Sequence, residues 1–228
     1  MKKRQIRMAI FFSIIIVATI STTVHNQTKV AKEESIVKGR QLYTQLCLDC
    51  HGETGEGEGA LIGISFNNQQ FLSTFSDNDL KNMIENGRPQ ALMPAYRFLE
   101  DEEKTNIVSL IRSWQTKPLT FKAPSKITGN VDNGKQLYAA NCMTCHGQTG
   151  SGFSTAAAAI ANPDTLKQIT DKQMWLSIAY GRDGTRMGPS LKGENGVKQL
   201  GEQDISDIVI YIRTDLANTY NPLETKSE

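Results

Sequence analysis

The stretch QLYTQLCLDCHGETGEG at residues 41–57 is repeated 95 positions later as QLYAANCMTCHGQTGSG at residues 136–152. Each copy holds two cysteines, two spacer residues and a histidine in the same frame. All four cysteines of the 228-residue chain and two of its three histidines lie in these copies; the third histidine is His25. The repeat predicts two domains of one kind, each built around its own site.

The order Cys-x-x-Cys-His is the haem-attachment signature, in which two thiols form thioether bonds to the vinyl groups and the adjacent imidazole reaches the iron. The alternatives for a Cys-x-x-Cys pair are a thioredoxin-like redox site or one half of a zinc site. Neither calls for a histidine directly after the second cysteine, twice. The residues that carry the signature are Cys47, Cys50 and His51 in the first copy and Cys142, Cys145 and His146 in the second.

Helical periodicity predicts an all-α fold, and the duplicated haem motif predicts two small tandem helical domains, each with one covalently bound haem. In each half a helix precedes the haem motif and a glycine-rich loop follows. A second helix begins at a cap, Ser76 or Thr170, and ends at Gly87 or Gly181, and an acidic first turn opens a terminal helix. The predicted boundaries are 29–117 for the first domain, 118–130 for the linker and 131–228 for the second. A domain of this size has a small core, and a bound macrocycle would enlarge it.

The N-terminal segment, residues 1–28, predicts a membrane-targeting element. MKKRQIR carries four positive charges, and the 17 residues from Met8 to Val24 carry none. That length suits a short membrane helix or a signal peptide. The positive flank stays on the cytoplasmic side and places the rest on the other. We favour an uncleaved anchor in the cytoplasmic membrane; the alternative is a secreted or periplasmic protein after signal cleavage.

Charge excludes one class of partner. The chain has 25 Lys and Arg against 24 Asp and Glu, a net charge of +1, with no basic stripe. Nucleic acid is therefore not an expected partner.

Methionine is the expected second axial ligand, because the motif fills one of two axial positions and His25 cannot serve both sites. A thioether is an established partner of histidine in electron-transfer haems. Met93 lies 42 residues after His51, Met187 lies 41 after His146, and each follows a Gly-Arg pair near a proline. Two other methionines fall within apolar helical patterns and are expected in the cores: Met83 and Met174.

Both halves resemble class I c-type cytochrome domains from about residue 35 onward. The resemblance implies a few helices around each haem, with the N-terminal and C-terminal helices crossing. It implies thioether attachment at Cys47, Cys50, Cys142 and Cys145, iron ligation by His51 and Met93 in the first half, and by His146 and Met187 in the second. The tandem arrangement is similar to cytochromes of the c4 type and to the two-haem subunit of cbb3-type oxidases.

The function expected from six-coordinate haems is electron transfer without catalytic residues, because no axial position is open. Two such haems would relay single electrons between redox partner proteins of a respiratory chain, on the outer side of the cytoplasmic membrane. The partners, donor and acceptor, are not identified by the sequence; an oxidase or reductase complex that holds the chain as a subunit is one possibility. The alternative is a haem enzyme with one catalytic haem, similar to thiosulfate dehydrogenases or two-haem peroxidases.

The sequence departs from the family pattern in two respects and leaves one role open. The second half is about seven residues longer between its methionine and its last helix, at residues 192–201. Many class I domains carry a proline about a dozen residues after the histidine, beside a carbonyl that orients the imidazole. None lies between His51 and Pro89, and Pro163 comes late in the second half, so the partner of each histidine stays unassigned. Arg88 and Arg182 could pair with haem propionates or be solvated arginines at helix ends.

Overall fold

The computed structural model describes residues 26–57, 64–88, 93–152 and 158–221, and over these residues the chain is mostly helical. No strand occurs in those ranges, in which β-pairing is limited to isolated bridges. The all-α prediction is confirmed for this part of the chain. The helices are α1 over 26–46, α2 Leu48–His51, α3 Gln69–Thr74, α4 Asp77–Asn86, α5 Asp101–Ser113, α6 Val131–Asn141, α7 Met143–His146, α8 Pro163–Gln168, α9 Asp171–Tyr180 and α10 Glu202–Thr214, followed by a 3₁₀ turn at Leu216–Thr219.

The buried apolar side chains form two clusters, one in each half of the chain. The first comes from α3, α4 and α5 and includes Leu72 and Ile107; the second comes from α6, α9 and α10 and includes Trp175 and Ile208. We refer to the structures around them as the first and second domains. Met83 and Met174 lie in these clusters with 6% of their surface exposed, which confirms the prediction that they fill the cores.

The first and last helices of each domain cross at a glycine. A Cβ at Gly39 of α1 would lie 2.0 Å from the carbonyl oxygen of Asn106 in α5, and one at Gly134 of α6 would lie 2.1 Å from that of Asp207 in α10. Only glycine permits this approach of two backbones. The helix crossing that the family resemblance implied is therefore present in both domains.

Helix α4 and helix α9 begin and end where the sequence predicted. Ser76 and Thr170 each open a reciprocal capping box with the residue three positions later. Gly87 and Gly181 end the helices with φ of 57° and 66°. The sequence analysis missed the short helices α3 and α8, whose N-cap residues are Asn68 and Asn162.

The two domains contact each other through equivalent helices. Helix α3 packs against α9 and, reciprocally, α4 packs against α8. Asp79 and Gln173 occupy the third position of equivalent helices and meet at the interface, where the Gln173 amide donates to Asp79 Oδ2 at 2.9 Å. Contacts between a residue and its own counterpart are typical of a two-fold arrangement. The domains are thus related by an approximate two-fold axis that passes near this pair.

The predicted linker packs on the second domain. The Phe121 ring stacks on Tyr180 at 4.5 Å between centroids, and the Tyr180 hydroxyl donates to the Lys122 carbonyl at 2.9 Å. These contacts hold the connection between the domains against α9.

The predicted membrane segment, Met8 to Val24, lies outside the described residues, as does His25. Within the ranges given above, no helix combines the length and the apolar character needed to cross a bilayer.

Candidate haem-binding sites

Each Cys-x-x-Cys-His motif forms a single helical turn after the first helix of its domain. The His51 N–H donates to the Cys47 carbonyl at 2.9 Å, and His146 donates to Cys142 at the same distance. One turn of helix places residues three apart on one face. Cys47 and Cys50 therefore present their thiols together, with the histidine next to them.

A buried tyrosine fixes the end of each motif. The Tyr43 hydroxyl donates to the Gly52 carbonyl at 2.7 Å, and the Tyr138 hydroxyl donates to the Gly147 carbonyl at 2.7 Å. Both tyrosines are almost fully buried, at 1% and 2% exposure. The sequence showed that they are equivalent, but not that they bind the loop directly after the histidine.

The structure supplies the histidine partners that the sequence left unassigned. His51 Nδ1 lies 3.1 Å from the Ile64 carbonyl oxygen, and His146 Nδ1 lies 3.0 Å from the Ala158 carbonyl oxygen. A carbonyl only accepts, so each Nδ1 carries the proton and each neutral imidazole keeps Nε2 as its free lone pair. A carbonyl that orients the ring in this way is the usual partner of a metal-bound histidine. No proline is needed beside it.

The surroundings of both imidazoles favour the neutral form. Burial lowers the pKa of His51, and the Arg88 charge lowers it further, against the opposing bond to Ile64. Burial likewise lowers the pKa of His146, with Lys198 and Arg182 acting in the same direction. A neutral imidazole is the form that binds iron.

The cysteine environment does not fit a thioredoxin-like site. Burial, with Cys50 adding to it, raises the pKa of Cys47 to about 12, and burial also raises the pKa of Cys142. Reactive redox cysteines have lowered pKa values, because the thiolate is the nucleophile. A protonated, buried thiol suits a residue that ends as a neutral thioether. The two pairs also lie in separate domains, so they do not combine into one four-cysteine zinc site.

The two candidate methionine ligands occupy equivalent loops after the second helix of each domain. Met93 is paired with Arg88, with its carbonyl accepting from the Arg88 N–H at 2.7 Å and its own N–H donating back at 3.1 Å. The Met187 carbonyl accepts from the Arg182 N–H at 2.7 Å. Each arginine is close enough to the histidine of its own domain to lower that pKa, so the Arg88 and Arg182 side chains lie on the haem-motif side of their domains.

The two sites differ in the residue that lies near the first cysteine of each motif. In the first domain the Tyr96 hydroxyl donates to the Leu46 carbonyl at 2.7 Å, just before the motif. In the second domain the segment at 192–201 brings Lys198 near enough to Cys142 to act on its pKa. Next to the motif, the first site therefore has the aromatic ring of Tyr96 and the second has the positive charge of Lys198.

An arginine on each terminal helix was missed by the sequence analysis. Arg112 binds the Asp77 carboxylate with its Nε at 2.6 Å and donates to the carbonyls of Leu72 and Phe75. Arg213 does the same with Asp171, also at 2.6 Å, and with the carbonyls of Leu166 and Ile169. Each clamp holds the two inner helices of its domain against the terminal helix. The repeated Ile-Arg pair at 111–112 and 212–213 is the signal that could have revealed it.

These residues fit a covalently bound haem. Each domain offers two thiols on one face, an imidazole with a free Nε2, a methionine on a separate loop and an arginine whose buried Nε has no hydrogen-bond partner among the described residues. An unpaired buried donor of that kind needs a hydrogen-bond acceptor beside it, and haem carries two carboxylates that accept hydrogen bonds.

Comparison with protein families agrees with this geometry. Residues 131–215 match the family model described as cytochrome c, and residues 34–111 match that of the cbb3-type cytochrome c oxidase subunit III. The chain is a tandem class I c-type cytochrome. Its cytochrome c domains imply covalently bound haem c.

Among curated proteins, this cytochrome is 23% identical over 189 residues to the cbb3-type cytochrome c oxidase subunit FixP of Azorhizobium caulinodans, a match covering 78% of the chain and 58% of that protein. It is 24% identical over 193 residues to subunit CcoP of an Azospirillum species, covering 76% and 60%. The chain thus spans less than two thirds of the length of these relatives. Among solved structures it shares its fold with a chain of the Kuenenia stuttgartiensis reducing HAO-like protein complex Kustc0457/Kustc0458, with a TM-score of 0.52, 21% identity, and coverage of 78% of this chain and 95% of that one.

Proposed function

We propose that this cytochrome holds two haems c and relays single electrons between redox partner proteins. The observation that carries the proposal is the duplicated site in which a Cys-x-x-Cys-His turn is completed by a carbonyl that fixes the histidine tautomer. The equivalent contacts in both domains give each haem the same mode of attachment.

The proposed roles follow from the chemistry of each side chain. Cys47 and Cys50, and equally Cys142 and Cys145, tether the haem by thioether bonds. His51 and His146 bind iron through Nε2 while Nδ1 donates to a backbone carbonyl. Bound haem supplies one-electron exchange through its iron, and a thioether ligand raises its potential. Met93 and Met187 occupy the remaining positions and exclude small ligands.

Two features support a place in a respiratory chain. The matched relatives are subunits of cbb3-type oxidases by name, so an oxidase-type complex is the proposed partner. The positively charged N-terminus and the apolar segment from Met8 to Val24 support anchoring in the cytoplasmic membrane, with the haem domains on the outer side.

The test of the ligand set is absorption spectroscopy of the haem-loaded protein during a reductive titration. Methionine bound to ferric haem gives a weak band near about 695 nm, characteristic of the His/Met pair. We expect the intensity of two such haems, and loss of half of it in Met93→Ala and in Met187→Ala. Met143→Ala is the matched control, because Met143 lies inside the second haem motif with its side chain exposed.

Cyanide binding separates the relay from the catalytic alternative. Two six-coordinate haems in the wild type should bind cyanide slowly, and each methionine variant should bind one equivalent readily. A wild-type protein in which one haem lacks the band and binds cyanide at once has an open iron position. That result would reject the relay and favour an enzyme with one catalytic haem.

A further inference from the structure

Two arginines, Arg88 and Arg182, lie at equivalent positions in the two domains. Arg88 follows the helix α4 and Arg182 follows α9, each directly after the C-terminal glycine of its helix. The Nε of each is fully enclosed and has no hydrogen-bond partner within the described ranges. A buried N–H without an acceptor is unfavourable, and more so in a charged group, so this arrangement needs an acceptor.

Both arginines lie at the domain interface. Directly before Arg88, the Gly87 carbonyl accepts from the Gln168 side chain of the second domain at 2.6 Å. The Arg182 guanidinium lies over the ring of Phe71 from the first domain, 5.3 Å from its centroid. The neighbouring Asp183 N–H donates to the Gln70 side chain of the first domain at 2.9 Å. Arg182 thus belongs to the second domain by sequence and is covered by the first.

Their charges act on each other. Burial, with the positive charge of Arg88 acting in the same direction, lowers the pKa of Arg182 to about 10. Burial also lowers the pKa of Arg88, which is partly offset by Asp164 of the second domain. At neutral pH both groups stay charged. Neither takes part in any of the ion pairs that the described residues form.

Two like charges that approach one another in a partly desolvated interface are unfavourable without an anion between them. Asp164 offsets Arg88 alone, and among the residues that the structure describes no carboxylate acts on the pKa of Arg182. The nearest acidic groups that the proposed function supplies are haem propionates, and each arginine already lies close to the iron-binding histidine of its own domain.

We propose that Arg88 and Arg182 form one shared anion site at the domain interface, which binds a propionate from each haem and thereby couples the two haems electrostatically. The proposal rests on the proposed function, because it needs haem in both domains. Reduction adds one electron, delivered by the redox partner, and no proton to a haem. A pair of fixed positive charges stabilises that added negative charge, and a shared pair does so for both haems.

The test is a potentiometric titration of the haem-loaded protein with Arg182→Gln and, separately, Arg88→Gln. A shared site predicts that either single substitution moves both reduction waves to lower potential, and assignment of the waves to haems is not needed. We expect each reduction equilibrium to shift about tenfold toward the oxidised form, which is about 59 mV for one electron. Arg186→Gln and Arg97→Gln are the matched controls, since they remove the same charge from exposed positions in the same loops.

Each outcome decides the matter. If only one wave moves in each variant, the arginines serve their own haems separately and the shared site is wrong. If the shifts do not exceed those of the exposed controls, the arginines bind no propionate. Should Arg182→Gln fail to take up haem, Arg182→Lys decides instead, because it keeps the charge but loses the bidentate fork. A smaller shift of both waves to lower potential supports the site, and a shift of one wave alone, or of neither, contradicts it.

The band near about 695 nm, measured on the same samples, separates this proposal from the proposed function. If the band shows two His/Met haems in wild type and variants while the waves do not shift together, only the shared site fails. If the wild type lacks the band on one haem, the relay fails first.

Discussion

Replacement of Gly134 by alanine tests whether the helix crossing of the second domain is as close as the structure shows. The added Cβ would lie 2.1 Å from the Asp207 carbonyl oxygen, 2.6 Å from its carbonyl carbon and 2.8 Å from Tyr211 Cβ. Two of these are backbone atoms of α10, which cannot rotate away. The axes of α6 and α10 must therefore separate by roughly 1 Å, an overpacking distortion of the kind that typically costs about 1–3 kcal/mol.

Gly134→Ala is informative because a close helix crossing and an open one predict opposite signs for the change in the free energy of unfolding. In a helix interior that faces no close neighbour, alanine is more favourable than glycine by about 1 kcal/mol. Overpacking at a tight contact costs about 3 kcal/mol, so the net expectation is a loss of about 2 kcal/mol. For a domain of this size that lowers the melting temperature by roughly 8–16 °C.

The assay is thermal unfolding of the ferric, haem-loaded protein, followed by circular dichroism at the helix band and by the Soret absorption. Gly39→Ala should destabilise the first domain in the same way, because its Cβ would lie 2.0 Å from the Asn106 carbonyl oxygen. Lys135→Ala, at an exposed position next to Gly134, is the control and should change little. A melting temperature that is unchanged or raised in Gly134→Ala would refute the close crossing.

Three further substitutions test other parts of the structure. Tyr138→Phe removes the hydroxyl that binds the Gly147 carbonyl at 2.7 Å, and we expect chemical denaturation to show a loss of about 1–2 kcal/mol; no loss would mean that water replaces this bond. Asp207→Asn tests acid sensitivity: burial raises the pKa of Asp207, but bonds from Asn133, Gln203 and Asn130 outweigh it and lower the pKa below 3.8. The carboxylate then stabilises the fold above that pH and loses its effect as pH falls through the lowered pKa, so the urea midpoints of wild type and variant should converge below about pH 4, and a constant difference down to pH 2 would contradict the assignment. Gln173→Glu keeps the cap on Thr170, because a carboxylate also accepts from its N–H, but it places a charge beside Asp79. We expect the domains to part more easily, by about 1 kcal/mol, measured as faster proteolysis of the 118–130 linker, whereas Gln199→Glu at an exposed position should leave cleavage unchanged.

The sequence predicted those features of each domain that depend on residues close together in the chain. Caps, helix ends and the Cys-x-x-Cys-His turn depend on residues within a few positions of each other, and Ser76, Thr170, Gly87 and Gly181 all have the predicted roles. The core positions of Met83 and Met174 followed from helical periodicity in the same way. The roles of Met93 and Met187 as ligands stay predictions.

What the sequence could not predict depends on backbone atoms or on distant segments. The partners of His51 and His146 are the carbonyls of Ile64 and Ala158, and a carbonyl leaves no trace in residue type. In many class I domains a proline marks the position of this carbonyl in the sequence, but Ile64 and Ala158 are not prolines. The helices α3 and α8 were missed because a six-residue helix shows too little periodicity to distinguish it from a loop.

The Arg88–Arg182 pair differs from the other pair of equivalent residues at the domain interface, Asp79 and Gln173. Near an approximate two-fold axis a residue meets its own counterpart, so a charge kept in both copies meets a like charge. At one such pair the two copies differ: Asp79 faces Gln173, and the two side chains form a hydrogen bond of 2.9 Å where two carboxylates would repel. At the other pair both copies keep arginine, although glutamine there would relieve the same repulsion. Two arginines at this interface are unfavourable without an anion, and a neutral side chain would be more stable there. We infer that an anion stabilises them, and the neighbouring haem sites would supply it as a propionate.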